Sequence, residues 1–176
     1  EELKLKVQGL LSENSSLQDI KKENDSLREV LNLGLEKEFK LKMAEVIGKD
    51  IFQDVLMIDK GEKDGIVQGS PVITSQKILL GRISQVYKNF SKVNLISNKN
   101  SSFDAKIVSS DIYGIIKGKG SLNISFELLP KDKELKIGDA VLTTPLSGIF
   151  PKDLLVGEVK SVKKTDAEPF QSAEVQ

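Results

Sequence analysis

The first 34 residues carry apolar side chains at Leu3, Val7, Leu10, Leu17, Ile20, Leu27 and Leu31, with Asn14 and Asn24 filling the remaining places of a 3-4 spacing. Such spacing is the seam of a coiled coil. Two spacings of three meet at Leu17, a stammer that locally overwinds the seam. The flanks are Glu, Lys, Asp, Gln and Ser, and Glu2 precedes Lys6 at helical spacing, which adds weak surface support. A single helix with this polar surround is marginal alone. It either folds back on the rest of the chain or pairs with a second copy. Asn14 and Asn24 favour a parallel, in-register homodimer, because each amide meets its own copy across the seam. The expected dimer seam is thus Leu10, Asn14, Leu17, Ile20, Asn24, Leu27 and Leu31. At 1.5 Å per residue the stalk is roughly 50 Å long, a useful length for a spacer.

Gly34 ends the pattern, residues 35–44 read as a linker, and everything beyond reads as β-strand. The expected fold is mainly β with an N-terminal helix: a coiled-coil stalk at 1–34 and two small β-barrel domains at 45–98 and 99–176. Two domains follow from an internal echo. Gly69-Ser70-Pro71-Val72-Ile73-Thr74 with Leu79-Leu80-Gly81-Arg82-Ile83-Ser84-Gln85-Val86 has its counterpart in Gly138-Asp139-Ala140-Val141-Leu142-Thr143 with Leu155-Val156-Gly157-Glu158-Val159-Lys160-Ser161-Val162. In each copy a glycine turn opens a short apolar strand, and a Leu-x-Gly step opens a second one, where glycine permits close backbone approach. The apolar side chains then change face between Ile83 and Val86, and between Val159 and Val162, as a β-bulge requires. Phe103, Ala105 and Ile107 alternate with polar residues, and so do Leu122, Ile124, Phe126 and Leu128, giving two half-buried strands.

Composition removes whole classes of function. Lys+Arg and Asp+Glu balance at 26 each, so no net field draws the chain to nucleic acid. Without His or Cys the usual neutral-pH general base, thiolate chemistry and the commonest metal ligands are missing, and no Ser-His-Asp triad can be built. Ser161 and Lys164 lie three apart, on opposite faces of a strand. The turn Asp59-Lys60-Gly61-Glu62-Lys63-Asp64-Gly65 has Gly61 and Lys63 where a calcium loop needs oxygen ligands. Lys117-Gly118-Lys119-Gly120-Ser121 lacks P-loop spacing and leads into a strand, so a solvated hairpin turn is expected there. No catalytic residue, cofactor or metal is expected. The longest apolar run, Val55 to Ile58, is far short of the ~20 residues of a membrane helix. Because the chain starts in mid-helix without Met, it reads as a fragment whose N-terminal continuation, with whatever anchors the stalk, has been cut away.

One feature points outward. The paired glycines are twelve residues apart in the first copy and nineteen in the second, and the seven extra residues fall around Pro145-Leu146-Ser147-Gly148-Ile149-Phe150-Pro151. This apolar loop either tucks under its own barrel or presents a rigid knob, making Leu146, Ile149, Phe150 and Pro151 the candidate partner or self-association loop. Under the second reading Phe150→Asp abolishes association and leaves the fold intact.

The order of Glu23-Asn24-Asp25-Ser26-Leu27-Arg28, Ala44-Glu45-Val46-Ile47-Gly48, Ile58-Asp59-Lys60-Gly61 with Asp64-Gly65, Gly69-Ser70-Pro71-Val72-Ile73, Leu80-Gly81-Arg82-Ile83, Leu95-Ile96, Gly138-Asp139-Ala140-Val141 and Gly148-Ile149-Phe150-Pro151 resembles the bacterial rod shape-determining MreC family. The resemblance covers nearly the whole chain. It implies one membrane helix upstream, then a coiled coil and two β-barrel domains on the outer, periplasmic or cell-wall, side of the cytoplasmic membrane. It further implies dimers and filaments that scaffold cell-wall elongation with MreD, the actin-like MreB, RodA and class B penicillin-binding proteins, with no catalytic residues. The chain departs from the family in ending soon after Ser172-Ala173-Glu174-Val175, which leaves open whether the second barrel is complete.

The expected function is therefore a non-enzymatic scaffold that maintains rod shape by organising peptidoglycan synthases. Two other classes share the architecture. A periplasmic adaptor of a membrane transport complex needs a return helix, and no second heptad segment follows Gly34. An inactive trypsin-like double-barrel protein fits the gross shape but has no His to inherit from an active ancestor.

Overall fold

The computed structural model describes residues 41–165 and 167–176, together with Lys6, Val7, Gly9, Leu10, Asn14, Ser15 and Leu17. The chain divides into two units, Glu1–Met43 and Ala44–Gln176. In the first, Lys6, Val7, Gly9, Leu10, Asn14, Ser15 and Leu17 have helical backbone and are exposed, and Leu41, Lys42 and Met43 are exposed without regular structure, while the seam positions Ile20, Asn24, Leu27 and Leu31 lie outside the described residues.

The second unit is built from eleven antiparallel strands in two lobes. The first lobe contains β1 (Val46–Asp50), β2 (Val55–Ile58), β3 (Pro71–Ile73), β4 (Leu79–Val86) and β5 (Ser91–Leu95), in the sheet order β1-β2-β5-β4-β3. The second contains β6 (Ser102–Ile107), β7 (Ile112–Gly120), β8 (Asn123–Pro130), β9 (Ala140–Thr143), β10 (Leu155–Lys163) and β11 (Phe170–Val175), closed into a barrel in the order β10-β11-β8-β7-β6-β9. Thus the second expected barrel is observed as a closed ring, whereas the first lobe is a five-stranded sheet with β1 and β3 at its edges. The short strand β3 starts on Pro71 and cannot donate its first ladder hydrogen bond. The question left open by the sequence, whether the second barrel closes, is answered by β11, which pairs with both β8 and β10 and completes the ring.

The repeat is visible in the backbone, bond by bond. Gly69 N–H donates to the Ile83 carbonyl at 2.8 Å and Ile83 N–H to the Ser70 carbonyl at 2.8 Å; Gly138 N–H donates to the Val159 carbonyl at 2.8 Å and Val159 N–H to the Asp139 carbonyl at 2.9 Å. Gly69 and Gly138 have φ of 88° and 89°, the left-handed region that glycine enters without a Cβ clash. The register slips between Ile83 and Gln85 on β4 and between Val159 and Ser161 on β10, where the change of apolar face predicts a bulge. Close approach at the Leu-x-Gly step is equally evident, since a Cβ on Gly81 would lie 2.1 Å from the Asn94 carbonyl oxygen.

Two cores result. The first lobe packs Ile58, Ile83 and Val93 with the half-buried Leu56, Ile66, Val72 and Val86. The barrel is filled from β6 by Phe103, Ala105 and Ile107, as their alternation predicts, and by Ile112, Ile116, Ile124, Phe126, Leu129, Val141, Val156 and Val159. Burying Phe126 completely is worth about 3 kcal/mol from area alone. The alternation expected for β8 holds at Ile124 and Phe126 and fails at its ends. Leu128 adopts φ 59° where β8 slips register against β11, and the bulge turns it outward and Leu129 inward. Leu122 sits in the β7–β8 turn and is exposed.

The lobes meet at two joints inside this unit. Ile78 and Leu155 form an isolated parallel bridge, with Leu155 N–H donating to the Lys77 carbonyl at 3.2 Å. At the other, the buried Asp54 carboxylate accepts the Leu122 N–H with both oxygens at 3.3 Å, and Gly120 N–H donates to the Ser97 carbonyl at 2.8 Å.

Candidate interaction surfaces

The turns singled out as chemical candidates spend their polar groups on themselves. In the acidic turn, Asp64 Oδ2 accepts the Gly61 N–H at 2.9 Å across a 3-10 turn, Glu62–Asp64, and Gly65 at φ 70° caps it. Asp59 Oδ1 accepts the Glu45 N–H at 2.8 Å and its Oδ2 meets Lys60 Nζ at 3.0 Å; these bonds hold the Asp59 carboxyl below its ordinary range. Among the described residues no group of three or more potential metal ligands comes together. Lys164 Nζ donates to the Lys131 carbonyl at 2.8 Å, so its partner is backbone and not Ser161. A cleft beside it is lined by Lys131, Lys133, Glu134, Val162, Lys164 and Gln171. Gln171, buried there, donates from Nε2 to the Pro130 and Lys133 carbonyls, both at 2.6 Å, and so ties the β8–β9 loop to β11.

On the barrel exterior, Lys117 Nζ and Lys119 Nζ clamp the two oxygens of Glu127 at 2.9 and 2.5 Å, and Ser125 Oγ donates to Glu127 Oε1 at 2.9 Å. Partial burial pushes the Glu127 carboxyl up, but the hydrogen bonds from Lys119, Lys117 and Ser125 outweigh it and bring it down to about 2. The expected hairpin turn is displaced: Lys117-Gly118-Lys119-Gly120 is the end of strand β7, only Ser121 enters the turn to β8, and one of the segment's jobs is this ion cluster.

The loop at 145–151 divides. Phe150 is 5% exposed and meets the Phe103 ring edge to face, with centroids 4.9 Å apart at 81°. Thr143 clips the loop shut: its Oγ1 donates to the Pro151 carbonyl at 2.6 Å and accepts the Leu154 N–H at 3.0 Å. Ile149 and Pro151 are half-buried, and Leu146 is 71% exposed. Of the described seam residues, Leu10, Asn14 and Leu17 are exposed on the single chain.

A further surface escaped the sequence reading. Around the Asp54–Leu122 joint, Ile51, Phe52 and Leu122 are 58, 94 and 67% exposed. The signal available in advance was an Ile-Phe pair inside the polar turn Lys49-Asp50-Ile51-Phe52-Gln53-Asp54, which neither strand alternation nor turn chemistry explains.

Among the described residues no helix is long and apolar enough to cross a membrane. A family model described as rod shape-determining protein MreC, barrel core, matches residues 46–176. The cell shape-determining protein MreC of Escherichia coli K12 is 35% identical over 162 residues, which is 89% of this chain and 44% of that protein. The crystal structure of MreC from Pseudomonas aeruginosa superposes with a TM-score of 0.72 at 27% identity, covering 75% of this chain and 86% of that one. A complex between penicillin-binding protein PBP2 and MreC from Helicobacter pylori contains the same fold, at a TM-score of 0.56 and 22% identity over 70% of this chain and 76% of that one. The chain spans about half the length of the relatives it matches. The match of the family model across both β-lobes, with the identity to its relatives, places the chain in the MreC family of rod shape-determining proteins.

Proposed function

We propose that this chain is the extracytoplasmic part of a non-catalytic, self-associating scaffold that maintains cell shape by holding peptidoglycan synthases in position outside the cytoplasmic membrane. The observation that carries this reading is the family match across the whole β-body, 46–176. A fold neighbour in a complex with a penicillin-binding protein supports a class B transpeptidase as the partner. Another neighbour is described as the major periplasmic domain of a cell shape-determining filament, which supports the location and further assembly of the dimers. An upstream membrane anchor and contacts with MreD, RodA and MreB complete the reading.

In this scheme the N-terminal seam joins two copies in parallel through Leu10, Asn14, Leu17, Ile20, Asn24, Leu27 and Leu31. Exposure of Leu10 and Leu17 on the single chain fits a seam awaiting its partner. The β-bodies act by binding, with affinity concentrated in a few apolar and aromatic side chains. Leu146, flanked by Ile149 and Pro151, supplies one contact of the 145–151 loop, while Phe150 supports it from the core.

The test is replacement of the chromosomal gene by variants in the organism that encodes it. Cells carrying the wild-type gene stay rod-shaped and co-purify a class B penicillin-binding protein with the tagged product. Rod-shaped cells after complete removal of the gene, or a tagged product that never brings a synthase with it, would refute the reading.

A further inference from the structure

The first lobe repeats the barrel strand for strand, with one strand left out. The repeated units equate β3 with β9 and β4 with β10, and the sheet orders then equate β5 with β11, β2 with β8 and β1 with β7. Around the barrel the order is β9-β10-β11-β8-β7-β6, and β6 closes back on β9; across the first lobe it is β3-β4-β5-β2-β1 and stops. Even the hairpin clips agree. Thr74 N–H donates to the Ile78 carbonyl at 2.9 Å and Thr74 Oγ1 accepts the Ile78 N–H at 3.2 Å; Thr143 makes the same two bonds with Leu154 at 2.9 and 3.0 Å. The residues just ahead, Lys77 and Asp153, are both left-handed, at φ 63° and 66°. The first lobe therefore lacks a counterpart of β6, and among the described residues no strand lies between β1 and β3.

The lack shows in the packing beside it. In the barrel, Ile107 of β6 pairs with Val141 of β9 and with Ile112 of β7, and all three are buried. Val72, which stands in the place of Val141, is only half-buried, and Val46 and Ile47 on β1 are 58 and 56% exposed. The open edge of β3 is not blocked. Pro71 takes the place of Ala140, which lies outside the β6–β9 ladder of Val141 to Thr143, so its missing N–H is not called upon there.

Chain order says where the counterpart belongs. Because β6 immediately precedes β7, its equivalent must precede β1, and there the sequence reads Phe39-Lys40-Leu41-Lys42-Met43. The matching stretch of β6 is Phe103-Asp104-Ala105-Lys106-Ile107, with Phe103, Ala105 and Ile107 buried. Both begin with Phe, carry Lys in the fourth place and are apolar at every second position, the pattern of a strand with one buried face. Ala44 and Glu45 are left to make the return to β1, a loop length that hairpins commonly use. In this structure Leu41 and Met43 lie outside any strand and are 39 and 83% exposed.

We infer that residues 39–43 are a strap that docks between β1 and β3 as the sixth strand of the first lobe and closes it into a second barrel. Met43 then stands beside Val72 and Leu41 beside Thr74, as Ile107 and Ala105 stand beside Val141 and Thr143. Docking pairs both free edges, which otherwise invite strands from other molecules. It also covers Met43 and Leu41 together with Val72. The same segment of a second copy, or a strand of another protein, offers similar hydrogen bonds, but the chain's own segment is tethered through Ala44 and Glu45 and so binds at a far higher effective concentration. With the strap docked, the linker after Gly34 shortens to residues 35–38, which suits a spacer. The strap needs no paired stalk, and so goes beyond the scaffold reading without resting on it.

The chain contains no cysteine, so paired cysteines report the docked strand without background. The full 176-residue chain carrying Met43→Cys with Val72→Cys is oxidised and run without reductant, beside Lys42→Cys with Val72→Cys. Residues directly opposite on paired strands lie within disulfide reach. The first pair should close almost completely within one chain, seen as faster migration at unchanged chain mass, and the second should not, because Lys42 faces the other side of the strand. No closure of the first pair, or equal closure of both, overturns the strap. A disulfide between two chains would show that the place is filled by a second copy, and also contradicts it. Leu41→Ser gives a readout independent of cysteines: the melting temperature should fall by several degrees, whereas an unchanged value means that Leu41 stays in water and overturns the inference.

Discussion

Phe150 reaches from the 145–151 loop to the Phe103 ring in the barrel, edge to face at 4.9 Å between centroids. An aromatic pair in this geometry adds about 1 kcal/mol to what area alone supplies. The loop's one aromatic residue is therefore part of the fold.

Phe150→Ala should accordingly lower unfolding stability by about 3 kcal/mol, in the range of buried phenylalanine truncations. Leu146→Ser, at an exposed position of the same loop, should change it by no more than about 0.5 kcal/mol. Urea titrations of the three proteins compare these values. Phe150→Asp, which the sequence alone suggests as a clean probe of association, should instead disrupt the barrel.

Glu127 predicts an acid-sensitive contribution. Its folded pKa of about 2 lies below the ordinary value of 4.5, so the group stabilises the fold above pH 4.5 and loses that effect as pH falls toward 2. Solvent at this open face screens the ion cluster, which leaves on the order of 1 kcal/mol. Glu127→Gln should be less stable than wild type at pH 6, with the two curves converging near pH 2. A difference that stayed constant over this window would exclude the carboxylate as its source.

The repeated glycines serve by two separate mechanisms that substitution distinguishes. At Gly81 a Cβ would meet the Asn94 carbonyl oxygen at 2.1 Å, and backbone there cannot give way without breaking the β4–β5 ladder. Gly69 has open space around it, and only its φ of 88° resists a side chain. Gly81→Ala should therefore cost about 3 kcal/mol or more, and Gly69→Ala about 1 kcal/mol. Thermal unfolding of the pair should rank them in that order.

Much of the β-body was legible because the repeat carries its own punctuation. The glycines at 69 and 138 and the face changes after Ile83 and Val159 reappear as left-handed turns and register slips at the same places. Alternation failed where a bulge intervened without a warning residue, as at Leu128, whose neighbours read as a continuous strand. The open first sheet was hidden for a related reason: closure depends on which edges find partners, and strand spacing does not reveal that β1 and β3 remain apart. Phe150 illustrates a third limit. A proline-flanked apolar loop reads the same whether it covers its own core or another protein's, and only the position of Phe103 resolves the choice. Most hidden was Asp54, an acidic residue in a polar turn whose role depends on a hairpin sixty-eight residues away.

Pairing of two chains through the N-terminal seam is the claim on which the scaffold depends, and sedimentation equilibrium tests it directly. The chain 1–176 should sediment as a dimer, and a version beginning at Lys40, which retains the whole unit from Ala44 to Gln176, as a monomer. A monomeric 1–176, or a dimer that persists after the first 39 residues are removed, would contradict the account.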